Sequence, residues 1–286
     1  MIKVEIDSNA GFCGGVIRTI GSAEKFLREH PGRSLYSLGA IVHNDSELER
    51  LSSMGLVQLD CEDLEEMKSA EGSTILIRAH GQPPQIYRTL ERLGFEIIDC
   101  TCPVVLGIQK KIRQAKGDVI IYGKHGHPEV LGLVGQALSR VRVIQDLDQA
   151  AEMLESDCPA PGAEIFAQTT MSPVGYEEVC ALLKSGIPAL KVHNTICKHV
   201  ASRHHELEAF ARSHDVIVFV SGRSSSNGRV LCDLCRSVNI RTYHVGSVQE
   251  IQPVWFRSED LVGVSGATST PRWLLEEVAS YIAGLQ

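Results

Sequence analysis

Short apolar runs of strand length recur along the chain. Each is closed by a polar or glycine-bearing turn, and a stretch follows whose apolar residues return every three or four positions. The first unit runs from "VEIDSNAGFC" into "GGVIRTIGSAEKFLREH", where Val16, Ile17, Ile20, Ala23, Phe26 and Leu27 share one helical face. "LYSLGAIVHN" leads into "DSELERLSSMG", and "TILIRAHGQ" into "PPQIYRTLERLG", where proline suits the first helical turn. The middle of the chain repeats the scheme with "FEIIDCTC", "DVIIYGKHGH" and "EIFAQTT", and the last part with "LKVHNTIC", "DVIVFVSGRSSSN" and "LVGVSGAT", each ahead of a helical stretch. A further strand with an acidic or polar tail interrupts each third: "LVQLDCEDLEEMKSA", "VRVIQDLDQAAEML" and "TYHVGSVQEIQ".

This is an internal threefold repeat of pattern with little identity of residues. It predicts an α/β protein of three small pseudo-threefold-related domains, residues 1–98, 99–192 and 193–286, that pack together. Strands alternating with helices predict parallel or mostly parallel sheets covered on both faces. Ligands of such sheets bind beyond the carboxyl ends of the strands, so the strand-to-helix turns are where chemistry is expected.

Composition narrows the class. The chain has 286 residues, 43% of them hydrophobic and 22% charged, which is ordinary for a soluble globular protein. No apolar run approaches the roughly 20 residues of a membrane span, and "MIKVEIDSNAGF" lacks the basic start and long apolar stretch of a secretory signal. A cytoplasmic protein without membrane partner is expected. The net charge of −7 argues against a general nucleic-acid binder. Nine scattered cysteines in so long a chain read as core residues, metal ligands or catalytic groups rather than a disulfide scaffold.

At the strand ends stand Cys13, Cys102 and Cys197, one per third, each between strand and helix. A helix N-terminus stabilises a thiolate. Three thiolates brought together would repel without a cation, an objection that a metal or iron–sulfur cluster removes. Cys61, Cys158, Cys180, Cys232 and Cys235 lack that position and read as inert; "CDLC" has no second pair of metal-ligand spacing. The other turns carry His43, His80 and His127 in the first two thirds, and "SSSN" and "GATSTP" in the last. Imidazoles, hydroxyls and an amide at helix starts suit a diphosphate. His127, directly before Pro128, fits the turn better than His125, while His204 and His205 fall mid-helix and are expected to face solvent. Glu129 is either a favourable charge on a helix dipole or a proton donor. There is no P-loop and no G-x-G-x-x-G fingerprint.

The ordered set "GFCGGV", "VHN", "AHG", "TCPVV", "GHPEV", "QTT", "IC", "SSSN" and "GATSTP" resembles the 4-hydroxy-3-methylbut-2-enyl diphosphate reductase (LytB) family nearly end to end. The resemblance implies three α/β domains around a central iron–sulfur cluster held by Cys13, Cys102 and Cys197. It further implies a [4Fe-4S] form with one iron lacking a protein ligand. It implies that His43, His80, His127, Ser225, Ser226, Asn227 and Ser269 grip the diphosphate of an allylic substrate. Thr169 would assist at the substrate hydroxyl, and Glu129 would deliver protons. The implied reaction is reductive dehydroxylation to isopentenyl and dimethylallyl diphosphates, the last step of the non-mevalonate isoprenoid pathway. Electrons would come from ferredoxin or flavodoxin.

Departures from the family pattern are Gly14 after the first cysteine, "KHVASRHH" after Cys197, where Val200 supplies no hydroxyl, and Cys100 where alanine is usual. In "GATSTP" either Thr268 or Ser269 could reach the diphosphate. Within "EIIDCTCPVV", Pro103 opens a helix, which makes Cys102 the corner residue and Cys100 a spectator. A zinc hydrolase built from Cys, His and Glu would be colourless, and a cluster-bearing redox sensor would not turn over substrate.

Overall fold

The computed structural model describes residues 2–285, the side chain of Ser226 excepted. Its strands are β1 (Lys3–Ile6), β2 (Leu35–Leu38), β3 (Leu56–Leu59), β4 (Thr74–Ile77), β5 (Glu96–Asp99), β6 (Val119–Tyr122), β7 (Val141–Ile144), β8 (Glu164–Ala167), β9 (Lys191–His193), β10 (Val216–Val220), β11 (Thr242–Val245) and β12 (Leu261–Gly266). Between them run α1 (Gly14–Glu29), α2 (Asp45–Ser53), α3 (Cys61–Glu66), α4 (Pro84–Leu93), α5 (Pro103–Gln114), α6 (Pro128–Val134), α7 (Leu147–Ser156), α8 (Pro173–Gly186), α9 (Lys198–Arg212), α10 (Ser226–Val238) and α11 (Arg272–Ala283). Every strand that the apolar runs predict is present. In the last third, two short 3-10 turns, Val248–Glu250 and Pro253–Trp255, stand where the other thirds have α3 and α7.

The strands make three four-stranded parallel sheets with flanking helices. One has the order β7-β6-β8-β9 and another β11-β10-β12-β1. In the third, β2 pairs with β3 and β4 with β5, both parallel. The three sheets are therefore built alike, and β1, β5 and β9 are equivalent strands, as are β12, β4 and β8. One feature differs from a simple division of the chain into consecutive thirds. β1 joins the sheet of the last third, with Lys3 opposite Leu261 and Ile6 opposite Val264.

Burial explains the two kinds of strand pattern. Both faces of β6 are covered: Ile120 and Tyr122 pack with Met153, Val179 and Leu183 of α7 and α8. Val119 and Ile121 turn the other way, toward Phe166 and toward Ile108, Ile112 and Leu133 of α5 and α6. β10 repeats this, with Val216, Val218 and Val220 on α11 and Ile217 and Phe219 on Leu207, Leu231, Cys232 and Cys235. A strand covered on both faces must be apolar at every position. β1, β5 and β9 lie at the sheet margins and alternate or stay half-exposed. Truncating a side chain such as fully buried Phe166 to alanine costs about 3–5 kcal/mol.

By packing density the chain divides into two compact units, residues 1–59 with 202–286, and residues 60–201. No helix among the described residues is long and apolar enough to cross a membrane.

Candidate functional site

The three cysteines occupy the same kind of corner. Cys13 and Cys102 are the N-cap residues of α1 and α5, both with extended ψ, and Cys197 directly precedes α9. Each cysteine carbonyl accepts the first helical bond, from Ile17 at 2.9 Å, Leu106 at 2.9 Å and Ala201 at 3.0 Å. Each cysteine N–H donates to a carbonyl two residues beyond the neighbouring strand: Cys13 to Thr268 after β12, Cys102 to Ala79 after β4, and Cys197 to Thr169 after β8. Neither Cys13 nor Cys102 uses its sulfur to cap its own helix. All three are half-buried.

A second repeated device escaped the reading of the sequence. Just before each corner, an aspartate or asparagine side chain accepts the N–H two residues on: Asp7 from Asn9 at 2.9 Å, Asp99 from Thr101 at 2.8 Å, and Asn194 from Ile196 at 3.3 Å. Such Asx turns fix the exit from an edge strand. The signal was present as an acid or amide at the end of "VEID", "EIID" and "KVHN". Asp7 is further held by the Arg203 guanidinium at 2.5 Å and the Ser265 hydroxyl at 2.9 Å, all buried.

In the unit of residues 60–201, the predicted site residues form a connected chain. The His80 and His127 rings lie 5.3 Å apart and perpendicular. His127 caps α6, its Nδ1 accepting the Glu129 N–H at 3.2 Å. The Glu129 carboxyl is buried and bound at both oxygens by Thr169, whose N–H and hydroxyl each donate at 2.7 Å. The Thr169 carbonyl in turn holds the Cys197 N–H. Burial pushes the Glu129 carboxyl above the ordinary carboxylate range, and the two Thr169 hydrogen bonds only partly oppose this. His125 is exposed and bonded to Gln149, outside this chain of contacts.

In the other unit, Ser225 caps α10 by accepting the Gly228 N–H at 3.0 Å, and its hydroxyl lies 3.3 Å from that of Ser269. Asn227 donates to the Thr268 hydroxyl at 3.1 Å, so Thr268 and Ser269 both join the group. Ser226 opens α10, but its side chain lies outside the described residues. The His43 carbonyl abuts Gly222, where an added Cβ would stand 2.5 Å from that oxygen. Asn44, the next residue, caps α2. Glycine at 222 is thus required by close approach of the two turns.

The remaining cysteines behave differently. Cys232 and Cys235 sit in the core of α10, where burial pushes their thiols up to about 11 and about 12. Burial raises Cys180 as well. Cys61, against expectation, opens α3, but it is exposed and its thiol is raised by partial burial and by Asp60 and Glu62; Cys158 is exposed too. Cys100 is buried and continues the strand ladder, its N–H donating to Ile77 at 2.9 Å. His205 faces solvent, while His204 is half-buried and lowered by desolvation. Val200 is buried. Among the described residues, no three His, Cys, Asp or Glu side chains are gathered into a metal-holding set.

A family model described as LytB protein matches residues 4–283. A 4-hydroxy-3-methylbut-2-enyl diphosphate reductase of Bacteroides thetaiotaomicron is 41% identical over 292 residues, covering 99% of this chain and 98% of that relative. The reductase of Porphyromonas gingivalis is 42% identical over 297 residues and covers both chains fully. A solved structure described as (E)-4-hydroxy-3-methyl-but-2-enyl diphosphate reductase, the terminal enzyme of the non-mevalonate pathway, superposes with a TM-score of 0.74 at 34% identity over 99% of each chain. The corresponding reductase of Plasmodium falciparum superposes with a TM-score of 0.82 over 98% of this chain and 87% of its own. At 22% identity that likeness bears on the fold alone.

Proposed function

The chain belongs to the LytB protein family, and from that premise we propose that it reduces (E)-4-hydroxy-3-methylbut-2-enyl diphosphate to isopentenyl and dimethylallyl diphosphates. The allylic carbon–oxygen bond breaks, two electrons and two protons are taken up, and water leaves. The observation that carries the reading is the link from Cys197 through Thr169 to the buried, doubly bonded carboxyl of Glu129. It sets an acid of raised pKa beside a cysteine corner.

The donor chemistry fits an iron–sulfur cluster held by Cys13, Cys102 and Cys197. These are the thiols that recur at helix starts, where a thiolate is favoured, and the ones that the repeated backbone bonds pin in place. When bound, a [4Fe-4S] cluster with three protein ligands supplies electrons singly and an iron open to the substrate hydroxyl. The division at residues 98/99 and 192/193 gives each domain one such corner.

The chain's own groups do the rest. His43, His80, His127, Ser225, Ser226, Asn227 and Ser269 hold the diphosphate, through imidazoles and through donors at helix starts. Thr169 fixes both oxygens of Glu129 and would assist through the substrate hydroxyl or a water. Glu129 keeps its proton at a pH where an exposed glutamate has lost it, and passes it to the departing oxygen. With no dinucleotide fingerprint in the chain, the electrons arrive from ferredoxin or flavodoxin, in the cytoplasm. Anaerobic purification with iron, sulfide and zinc analysis tests the cofactor: a brown protein with near-equal iron and sulfide is expected. A colourless zinc protein would refute it.

A further inference from the structure

We propose that the cleft beside Cys197 is the docking surface for an acidic protein that carries one electron at a time. This rests on the reductase reading, which requires electrons from outside the chain. The cleft has a volume of about 490 Å³ and lies within the unit of residues 60–201. One wall is the start of α5, with Val104, Gly107 and Lys111; the other is the corner that carries Cys197, Lys198 and His199. A partner seated there would touch a proposed ligand cysteine directly, and on the other wall Pro103, the residue after Cys102.

Charge selects the occupant. The chain is acidic as a whole, at −7, yet no residue lining the cleft is acidic. Residues 100–117 contain no Asp or Glu while holding Lys110, Lys111, Arg113 and Lys116, and residues 179–205 contain none while holding Lys184, Lys191 and Lys198. Lys191 is already paired with Glu164 and adds little; Lys111 and Lys198 line the cleft itself. The apolar part is exposed as well. Val104, which lines the cleft, is 44% accessible on α5, while Ile108 on the same wall reaches into the core. Apolar surface rimmed by charge of one sign is the make-up of a transient, electrostatically steered interface. The carriers of fitting chemistry are small acidic flavin or iron–sulfur proteins.

The test uses the cluster-loaded protein and flavodoxin as the probe, with Lys111→Glu, the double variant Lys110→Glu/Lys111→Glu, and Lys111→Arg. Binding is followed by titration of flavodoxin at low and moderate salt, without turnover. The double variant is expected to bind about tenfold more weakly and to lose most of its salt dependence, as rim charges that steer association do. Lys111→Arg keeps the affinity, and turnover with a small reduced dye stays unchanged in all three. Unaltered flavodoxin affinity and salt dependence in the double variant would overturn the docking surface. Absence of dye-driven turnover in the unaltered protein would strike the reductase reading instead, and the titration would still report on the cleft.

Discussion

Glu129 is the residue on which the proposed chemistry turns. Its carboxyl is buried and held at both oxygens by Thr169, in a geometry that glutamine can reproduce with one acceptor and one donor. Glu129→Gln is therefore expected to fold normally and to lose roughly 10²–10⁴-fold in turnover, as removal of a general acid does. Steady-state kinetics with an unchanged melting profile would check it. The sign of the pH effect follows from burial. The folded protein binds this proton more tightly than the unfolded chain, so stability falls as pH rises from the ordinary carboxylate range through the raised value. Denaturant titrations at several pH values should show that decline in the native protein and a flatter profile in Glu129→Gln. The cysteine pair separates in the same way. Cys102→Ser should abolish bound iron and activity, while Cys100→Ala, at a buried ladder position, should keep both; iron content and absorbance distinguish them. The roles were legible as types, an acid and a corner thiol. Nothing in "HGHPEV" told whether the acid was a dipole charge or a proton donor. The buried carboxyl held at both oxygens by Thr169, forty residues away, is what supports the proposal of a proton donor.

At the scale of elements, the proposed site is a set of strand-to-helix turns whose helices start on the residues assigned to it. Ser225 both caps α10 and meets Ser269. Ser225→Ala should cost about 1 kcal/mol in stability through the lost cap and raise the KM for the diphosphate, with calorimetry and kinetics reading the two effects separately. The Asx turns ahead of the cysteines are the other device. Asp7 carries its turn and a buried ion pair with Arg203 at once. Asp7→Ala leaves that cation buried without its partner and is expected to cost about 3–5 kcal/mol, measured by chemical denaturation. The periodic pattern gave away the twelve strands of the described residues, most plainly the central ones, because parallel strands covered on both faces cannot hide their apolar runs. The Asx turns stayed hidden, since Asp or Asn at a strand end is also what any loop would use.

For the molecule as a whole, the threefold repeat was visible in the order of strands and turns, and three parallel four-stranded sheets realise it. What the pattern did not reveal is that β1 completes the sheet of the last third. Periodicity tells a strand from a helix but says nothing of which neighbour an edge strand will choose. The full-length likeness to reductases at about 40% identity agrees with the order of motifs along the chain. The account makes the whole chain one reductase, and the most direct measurement is anaerobic turnover of (E)-4-hydroxy-3-methylbut-2-enyl diphosphate with a small reduced dye, products resolved by chromatography. Isopentenyl and dimethylallyl diphosphates appearing together, with dye oxidised at two electrons per product, is the predicted result. A protein that holds iron and sulfide in equal amounts yet returns the substrate unchanged would contradict it.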